Sequence, residues 1–497
     1  RHAIVEPREL IVEGADVFLA FAVCVARTPV LFKRLSRRLT ASPARPDETV
    51  ISVVGLLLRL LNILTMSSKL LLKAESSLVL SSDMTPVSLM LKPICHKAPT
   101  DVPGVLDKNK KLIPNLSIDK ARRLIEGLTA EQQGDAESAK RLQNLLKSRI
   151  EQWFSGKDRQ TYFHLDKTLG TVLAYPEEYF AVEQMNDHHF HYGYWIRTMA
   201  ELALRDPDWT SDAQWGAMTQ LLIQDIATAK RGQKDFPFLR TFDIYEGHSW
   251  ASGNGIGEWG NNQESSSEAI NAWSALILWA EIRGDKALRD LGVYLYTTEI
   301  EAIRHYWFDV HNLVFAPEYK NKEVSMLFGG AYKHNTWWTD EPRQIKGINL
   351  LPITTASLYL GRDREFILRN LEAMDKETEI FKSRGKRADP PDIWGDIFLK
   401  YRALAQPREA LAQWQRWGSV EFGETRTHTL HWLLTLNERG APLLEVTADT
   451  PYYGVFRNDA GQTTYWAYNF SNQARTVHFS DGQKMVAEPR RLSELKK

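Results

Sequence analysis

From Ser117 onward, apolar residues recur at intervals of three and four, and no other feature restricts the possible folds of this chain so strongly. Residues on one side of an α-helix lie three or four apart, so the pattern commits a segment to a helix with one buried face. The spacing predicts helices over Ala121–Ile125 and Ala136–Trp153, with charged residues between the apolar ones. Thr210 or Ser211 is placed to cap a helix running towards Lys230, with Trp215, Met218, Leu222 and Ile226 on one face. Further helices are expected over 262–282, after a cap at Asp285 through Leu288, Leu291, Leu295 and Ile303, and near 348–360, 364–376, 389–404, 407–416 and 426–438. Segment 308–345, which holds Trp337 and Trp338, breaks the pattern and reads as a long loop. Helix pairs joined by long loops predict a mainly α protein, an α/α toroid whose loops build a cleft at one end. The period changes to two over Tyr452–Phe456, Thr463–Asn469 and Thr476–Phe479, with turns at Asp459–Gly461 and Asp481–Gly482, so a small antiparallel β element is expected to close the chain.

Composition divides the chain sharply. None of its 16 Trp or 17 Tyr precedes Trp153. Formal net charge is zero and the pI is about 7.4, which removes any electrostatic argument for nucleic acid or an anionic membrane as partner. Cys24 and Cys95 are too few for a disulfide framework. The apolar stretch Val17–Ala26 follows Glu6, Glu9, Glu13 and Asp16, the wrong sign for the start of a signal peptide. Arg59 interrupts the apolar run over 50–65, so no transmembrane helix is expected.

Chemistry concentrates in three segments. In Asn261–Trp273, Glu264 and Glu268 stand four apart. On a helix they would share a face, with Cβ atoms roughly 6 Å apart. The bland alternative is a solvated first turn, where acids favour the helix dipole. Asn186–Trp195 packs Asp187, His188, His189 and His191 among Phe190, Tyr192, Tyr194 and Trp195. Phe242–Gly253 carries a similar mixture, with Asp243, Tyr245, Glu246, His248 and Trp250. Carboxylate and imidazole supply hydrogen bonds and proton transfer, and flat aromatic faces stack on sugar rings. The HHxH spacing suits no standard zinc pattern and no cysteine lies near it. Gly253–Gly260 lacks the Lys-Ser/Thr of a phosphate loop, so neither metal nor cofactor is expected.

Together the segments NDHHFHYGY (186–194), YEGHSWASG (245–253) and GNNQESSSEAINAW (260–273), followed by KGINLLPIT (346–354), resemble glycoside hydrolase family 81, the endo-1,3-β-glucanases. The resemblance covers roughly residues 110–490. It implies an inverting, endo-acting hydrolase on an (α/α)6 barrel, with Asp187 as general acid and Glu264 or Glu268 as general base. Glu264 is favoured as base, and Glu268 as the residue that orients water or substrate. Contacts to β-1,3-glucan are expected from His191, Tyr192, Tyr194, Asp243, Tyr245, His248, Trp250 and Asn262, with Trp337 and Trp338 as further stacking faces. The resemblance also implies action outside the cell. The expected division is 1–105 as an atypical N-terminal segment, 106–445 as the barrel and 446–497 as the β element. The first segment differs in composition from the β-sandwich that usually precedes the barrel in this family, and is expected to be a divergent extension, a truncated remnant or mis-framed sequence. Two other classes compete. A polysaccharide lyase would need a cation for a uronate carboxylate, which only Arg197 offers near the motifs. A non-catalytic glucan-binding protein would not need three carboxylates.

Overall fold

The computed structural model describes residues 131, 134–385, 394–414, 420, 424 and 426–497. All of them lie in one compact unit, Ala74–Lys497. The expectations for 1–105 and for a helix over Ala121–Ile125 fall outside the described residues.

The first described helix, α1 (Ala136–Ser155), forms where the three-to-four spacing places it, and buries Leu142, Leu146, Ile150, Trp153 and Phe154. Its ends carry standard signals. Asp135 accepts the Ser138 N–H at 3.0 Å, and Gly156 takes the left-handed conformation that stops the helix. A hairpin of β1 (Tyr162–Asp166) and β2 (Thr171–Tyr175) follows, and a second pair, β3 (Phe242–Asp243) and β4 (His248–Ser249), lies further along the chain.

The centre of the molecule is α2 (His188–Arg205), α4 (Ser266–Arg283) and α5 (Lys286–Ala302), with α3 (Gly216–Ala227) beside α2. Helix α2 was not anticipated, because nearly every residue of its first two turns is buried and no polar face marks the period. It lies close against α4. A Cβ on Gly193 would stand 2.7 Å from the Ala272 Cβ, so only glycine permits this approach. Trp195, Trp273 and Trp307 are fully buried in the shared core.

The expected helix over 262–282 begins later, at Ser266, because Asn262–Gln263 forms strand β5. The helix expected from residue 210 begins at Gly216, after a turn closed by the Gly216 N–H on the Ser211 carbonyl. Asp285 caps α5 as expected, at 3.0 Å from the Leu288 N–H. The loop 308–345 is more ordered than the sequence suggests. Strands β6 (Met326–Phe328) and β7 (Tyr332–Lys333) extend β5 into a three-stranded sheet, and α6 (Pro342–Gly347) follows. Of the run 348–360, only a 3-10 segment Thr355–Arg362 is helical, since Pro352 and the Thr354 cap exclude an earlier start. Helices α7 (Arg364–Ser383), α8 (Gly395–Ala403), α9 (Pro407–Trp414) and α10 (Arg426–Arg439) account for the later patterns.

The chain ends in β strands. Strands β8 (Ala441–Pro442), β9 (Tyr453–Arg457), β10 (Thr463–Asn469) and β13 (Arg491–Lys496) form a sheet in the order 13-10-9-8. Strands β11 (Arg475–His478) and β12 (Lys484–Ala487) form a second. Every residue of β10 is buried, because its alternate side chains serve two cores. Trp466 and Tyr468 join the helical core, while Tyr465 and Ala467 pack with Val477, Phe479 and Met485. No described helix is long and apolar enough to cross a membrane.

Candidate active site

Asp187 immediately precedes α2, where an aspartate ordinarily caps the helix by accepting an N–H. Here it does not. Its backbone is left-handed, with φ 60°, and its carboxyl takes no cap hydrogen bond. That conformation costs a non-glycine residue about 1 kcal/mol or more. Several contacts hold it. The Asp187 N–H donates to the Ala251 carbonyl at 2.9 Å, and the Gly253 N–H to the Gln184 carbonyl at 3.0 Å. A Cβ on Gly253 would fall 2.5 Å from the Met185 Cβ, so this glycine admits the Asp187 segment rather than a ligand. His188 is buried between the Asp225 carboxylate, 2.8 Å from Nδ1, and the Ala181 carbonyl, 2.7 Å from Nε2. Arg240 pairs with the same carboxylate at 2.5 Å.

Glu264 lies two residues before α4 and Glu268 lies in its first turn, so the two do not share a helix face. What sets their positions is the serine run between them. Ser265 Oγ donates to the Ile348 carbonyl at 3.1 Å, and Ser266 N–H and Oγ both donate to Asn349 Oδ1, at 3.0 and 2.8 Å. Ser267 Oγ donates to the Leu351 carbonyl at 2.5 Å. The KGINLLPIT segment is thus the anchor of the ESSSE segment. Glu264 Oε1 accepts the Trp337 N–H at 3.2 Å, and Glu268 Oε1 accepts the Tyr194 hydroxyl at 2.7 Å.

The three carboxyl groups interact electrostatically. Burial pushes Asp187 well above the usual carboxylate range, and the charges of Glu268 and then Glu264 push it further. Burial raises Glu264 to about 7; the Trp337 N–H opposes this and Glu268 adds to it. Burial also raises Glu268, against the hydrogen bonds from Tyr194 and Ser265. Burial disfavours the charge of all three, and Asp187 is the one raised by the charges of both others. No cation pairs with any of the three among the described residues.

The other expected contacts divide. Tyr194 reaches the site, as the donor to Glu268. His191 is buried with its ring stacked on Tyr179, centroids 5.5 Å apart. Asp243 braces the loop, with Oδ1 accepting the Tyr245 and Glu246 N–H groups and Oδ2 accepting the Trp250 indole at 3.1 Å. Tyr245 is exposed, and so are Trp337 and Trp338, at 63% and 52%. Asn262 spends its carbonyl on the Ala251 N–H, 2.7 Å away. Two expectations are corrected. Tyr192 is fully buried and its hydroxyl donates to the Val172 carbonyl, so it belongs to the core. His248 is buried against Trp250 and Trp307, with Nδ1 2.9 Å from the Ser249 carbonyl. Burial lowers it to about 4, so it is a neutral core residue rather than a sugar contact.

Sequence reasoning missed two neighbours. Tyr179 is 55% exposed, and its phenol feels the charges of Glu268 and Asp187. Its only signal was an aromatic pair just upstream of the motif. Glu424 lies near enough to act on Tyr194. Burial disfavours its charge, yet His428 and Lys400 overcome this and hold it at about 2. Arg197, the cation a lyase would require, is engaged by Glu201 at 2.6 Å.

Three clustered carboxyl groups, none paired with a cation among the described residues, are the kind of groups that acid–base catalysis uses. The chain belongs to glycoside hydrolase family 81: the family's C-terminal domain, described as "Glycosyl hydrolase family 81 C-terminal domain", matches residues 115–434. A glucan endo-1,3-beta-D-glucosidase of Acetivibrio thermocellus is 48% identical over 366 residues, 73% of this chain and 46% of that protein. One of the same name from Thermobifida fusca is 39% identical over 358 residues, 71% and 46% of the two chains. A solved family 81 glycoside hydrolase from Clostridium thermocellum, a glutamate-to-alanine mutant, superposes with a TM-score of 0.74 at 41% identity, covering 85% of this chain and 58% of its own. The chain thus spans about half the length of the curated relatives it matches.

Proposed function

We propose that this chain is an endo-acting hydrolase of β-1,3-glucan that inverts the anomeric centre, working on an (α/α)6 toroid. The observation that carries the reading is the gathering of three carboxyl groups, Asp187 at the start of α2, Glu264 just before α4 and Glu268 in its first turn, with Asp187 raised by the charges of the other two. Asp187 holds its proton through burial and through the charges of Glu268 and Glu264, and a group that stays protonated is a general acid. In this reading Asp187 protonates the departing glycosidic oxygen. Glu264, which accepts the Trp337 N–H on Oε1, keeps lone pairs to take a proton from water and serves as the base. Glu268, fixed by Tyr194, orients that water. An inverting pair stands roughly 6.5–9.5 Å apart to admit the water between them.

Recognition of the glucan falls to the aromatic faces. Tyr179, Trp337, Trp338 and Tyr245 are exposed, and Trp337 joins the site directly through its backbone. Stacking on a neutral sugar needs no net charge, which agrees with a chain whose formal charge is zero. Action outside the cell is part of the proposal, since an insoluble glucan reaches only an external enzyme. The test is to incubate the purified chain with laminarin and curdlan and to chromatograph the products. A ladder of oligosaccharides is expected, with cellulose, starch and polygalacturonate left intact. Unsaturated uronides from pectin or alginate, with laminarin untouched, would instead establish a lyase.

A further inference from the structure

Glu299, on α5, is fully buried, and no cationic side chain pairs with it among the described residues. A buried carboxylate is costly unless paired or richly hydrogen-bonded, so its retention in the core needs a reason. Its partners supply one. The Trp273 indole N–H donates to Oε2 at 2.6 Å, and Ser249 donates twice to Oε1, from its N–H at 3.1 Å and its hydroxyl at 2.7 Å. Gln263 Nε2 in turn donates to that hydroxyl at 2.6 Å.

Each partner leads to one of the three carboxyl-bearing segments. Trp273 is on α4, the helix that carries Glu268. Gln263 is the residue before Glu264. Ser249 ends strand β4 and Ala251 lies two residues beyond it, where it stands between the acid and the base. Its N–H donates to the Asn262 carbonyl at 2.7 Å, and its carbonyl accepts the Asp187 N–H at 2.9 Å. A shift of segment 249–251 therefore moves the Asp187 segment and the Glu264 segment together.

We propose that Glu299 is a positioning residue for glycosidic hydrolysis, clamping segment 249–251 and α4 so that Asp187, Glu264 and Glu268 keep their mutual spacing. The proposal rests on the hydrolase reading above. Only an acceptor with both oxygens free satisfies this geometry. Three donors converge on Glu299, and an amide in its place would turn an N–H towards either the indole or Ser249. Glu299→Gln is thus nearly isosteric yet mispaired, and it loosens the clamp without opening a cavity.

The test compares wild type, Glu299→Gln and Ser249→Ala on laminarin and on an aryl β-laminaribioside with a good leaving group, alongside circular dichroism and thermal unfolding. Displacing reacting groups by about an ångström costs on the order of a hundredfold in rate. Folded Glu299→Gln is therefore expected to lose roughly 30- to 300-fold in kcat on laminarin, with KM within about threefold. The loss should be smaller on the aryl substrate, which needs less help from the acid, and the pH profile of kcat/KM should be displaced, because the spacing of the carboxyl groups sets their mutual repulsion. Ser249→Ala, which removes one of the three donors, should shift the same quantities less. A folded Glu299→Gln with kcat within about threefold of wild type and an unchanged pH profile overturns the proposal and leaves Glu299 a core residue only. If Glu299→Gln does not fold, the same criterion applied to Ser249→Ala decides. Wild type inactive on laminarin would fell the hydrolase reading itself, whereas active wild type with indifferent variants fells this inference alone.

Discussion

Replacing Tyr194 with phenylalanine removes one hydroxyl and isolates how the carboxyl cluster is tuned. The hydroxyl donates to Glu268 Oε1 at 2.7 Å, and this bond opposes the burial that raises Glu268. A hydrogen bond to an ionised group contributes about 1.5–3 kcal/mol. At about 1.4 kcal/mol per decade, its loss corresponds to roughly a 10- to 100-fold fall in the ionised population of Glu268 where that population is the minor one. The sign follows from the two directions. With the donor gone, Glu268 holds its proton to higher pH, so the acidic limb of kcat/KM moves up. At the higher pH where Asp187 titrates, Glu268 is ionised with or without the hydroxyl, so its repulsion, the largest charge contribution raising Asp187, persists and the alkaline limb stays in place. The bell narrows from its acidic side. The assay is kcat/KM on laminarin across pH 4–9 (about half-unit steps suffice) for wild type and Tyr194→Phe. A variant whose bell keeps its width, at whatever height, would refute the tuning of Glu268 by the Tyr194 hydroxyl.

Asp187→Ala should reduce turnover on laminarin by roughly two to four orders of magnitude, the usual contribution of a general acid, and by much less on an aryl glycoside that leaves without protonation. Glu264→Ala should show the opposite dependence and recover rate when azide fills the vacated space, while Glu268→Ala should lose less; azide rescue of Glu268→Ala instead would exchange their roles. Gly193→Ala should destabilise the fold by about 1–3 kcal/mol, read as a lower thermal midpoint, because the new Cβ would meet the Ala272 Cβ at 2.7 Å.

The sequence was most legible where one face of an element is wet. Helix α1 and the Asp285-capped α5 follow their apolar spacing, and β9, β10 and β11 lie close to the segments whose alternation announces them. It was least legible where every face is dry. Helix α2 has no polar stripe for periodicity to register, although it carries the motif with Asp187 at its start. Side-chain roles in that motif were equally hidden, since nothing local tells Tyr192, whose hydroxyl meets Val172, from Tyr194, whose hydroxyl meets Glu268. The pairing of Glu264 and Glu268 was noticed for the wrong reason. Their serine spacers are anchored some 80 residues away on 348–351, a contact of tertiary origin that no four-residue spacing encodes. Glu299 gave no signal at all, because an isolated glutamate in a helix reads as solvated until the fold buries it.

The most direct test of the account is the anomeric configuration of the first product. Proton NMR of laminarin digests, recorded before mutarotation scrambles the signal, should show the α-anomer appearing first, as required if Asp187 donates the proton while a carboxylate-activated water attacks the opposite face. Initial release of the β-anomer would contradict the account, because it would mean that one of these carboxylates attacks the sugar itself.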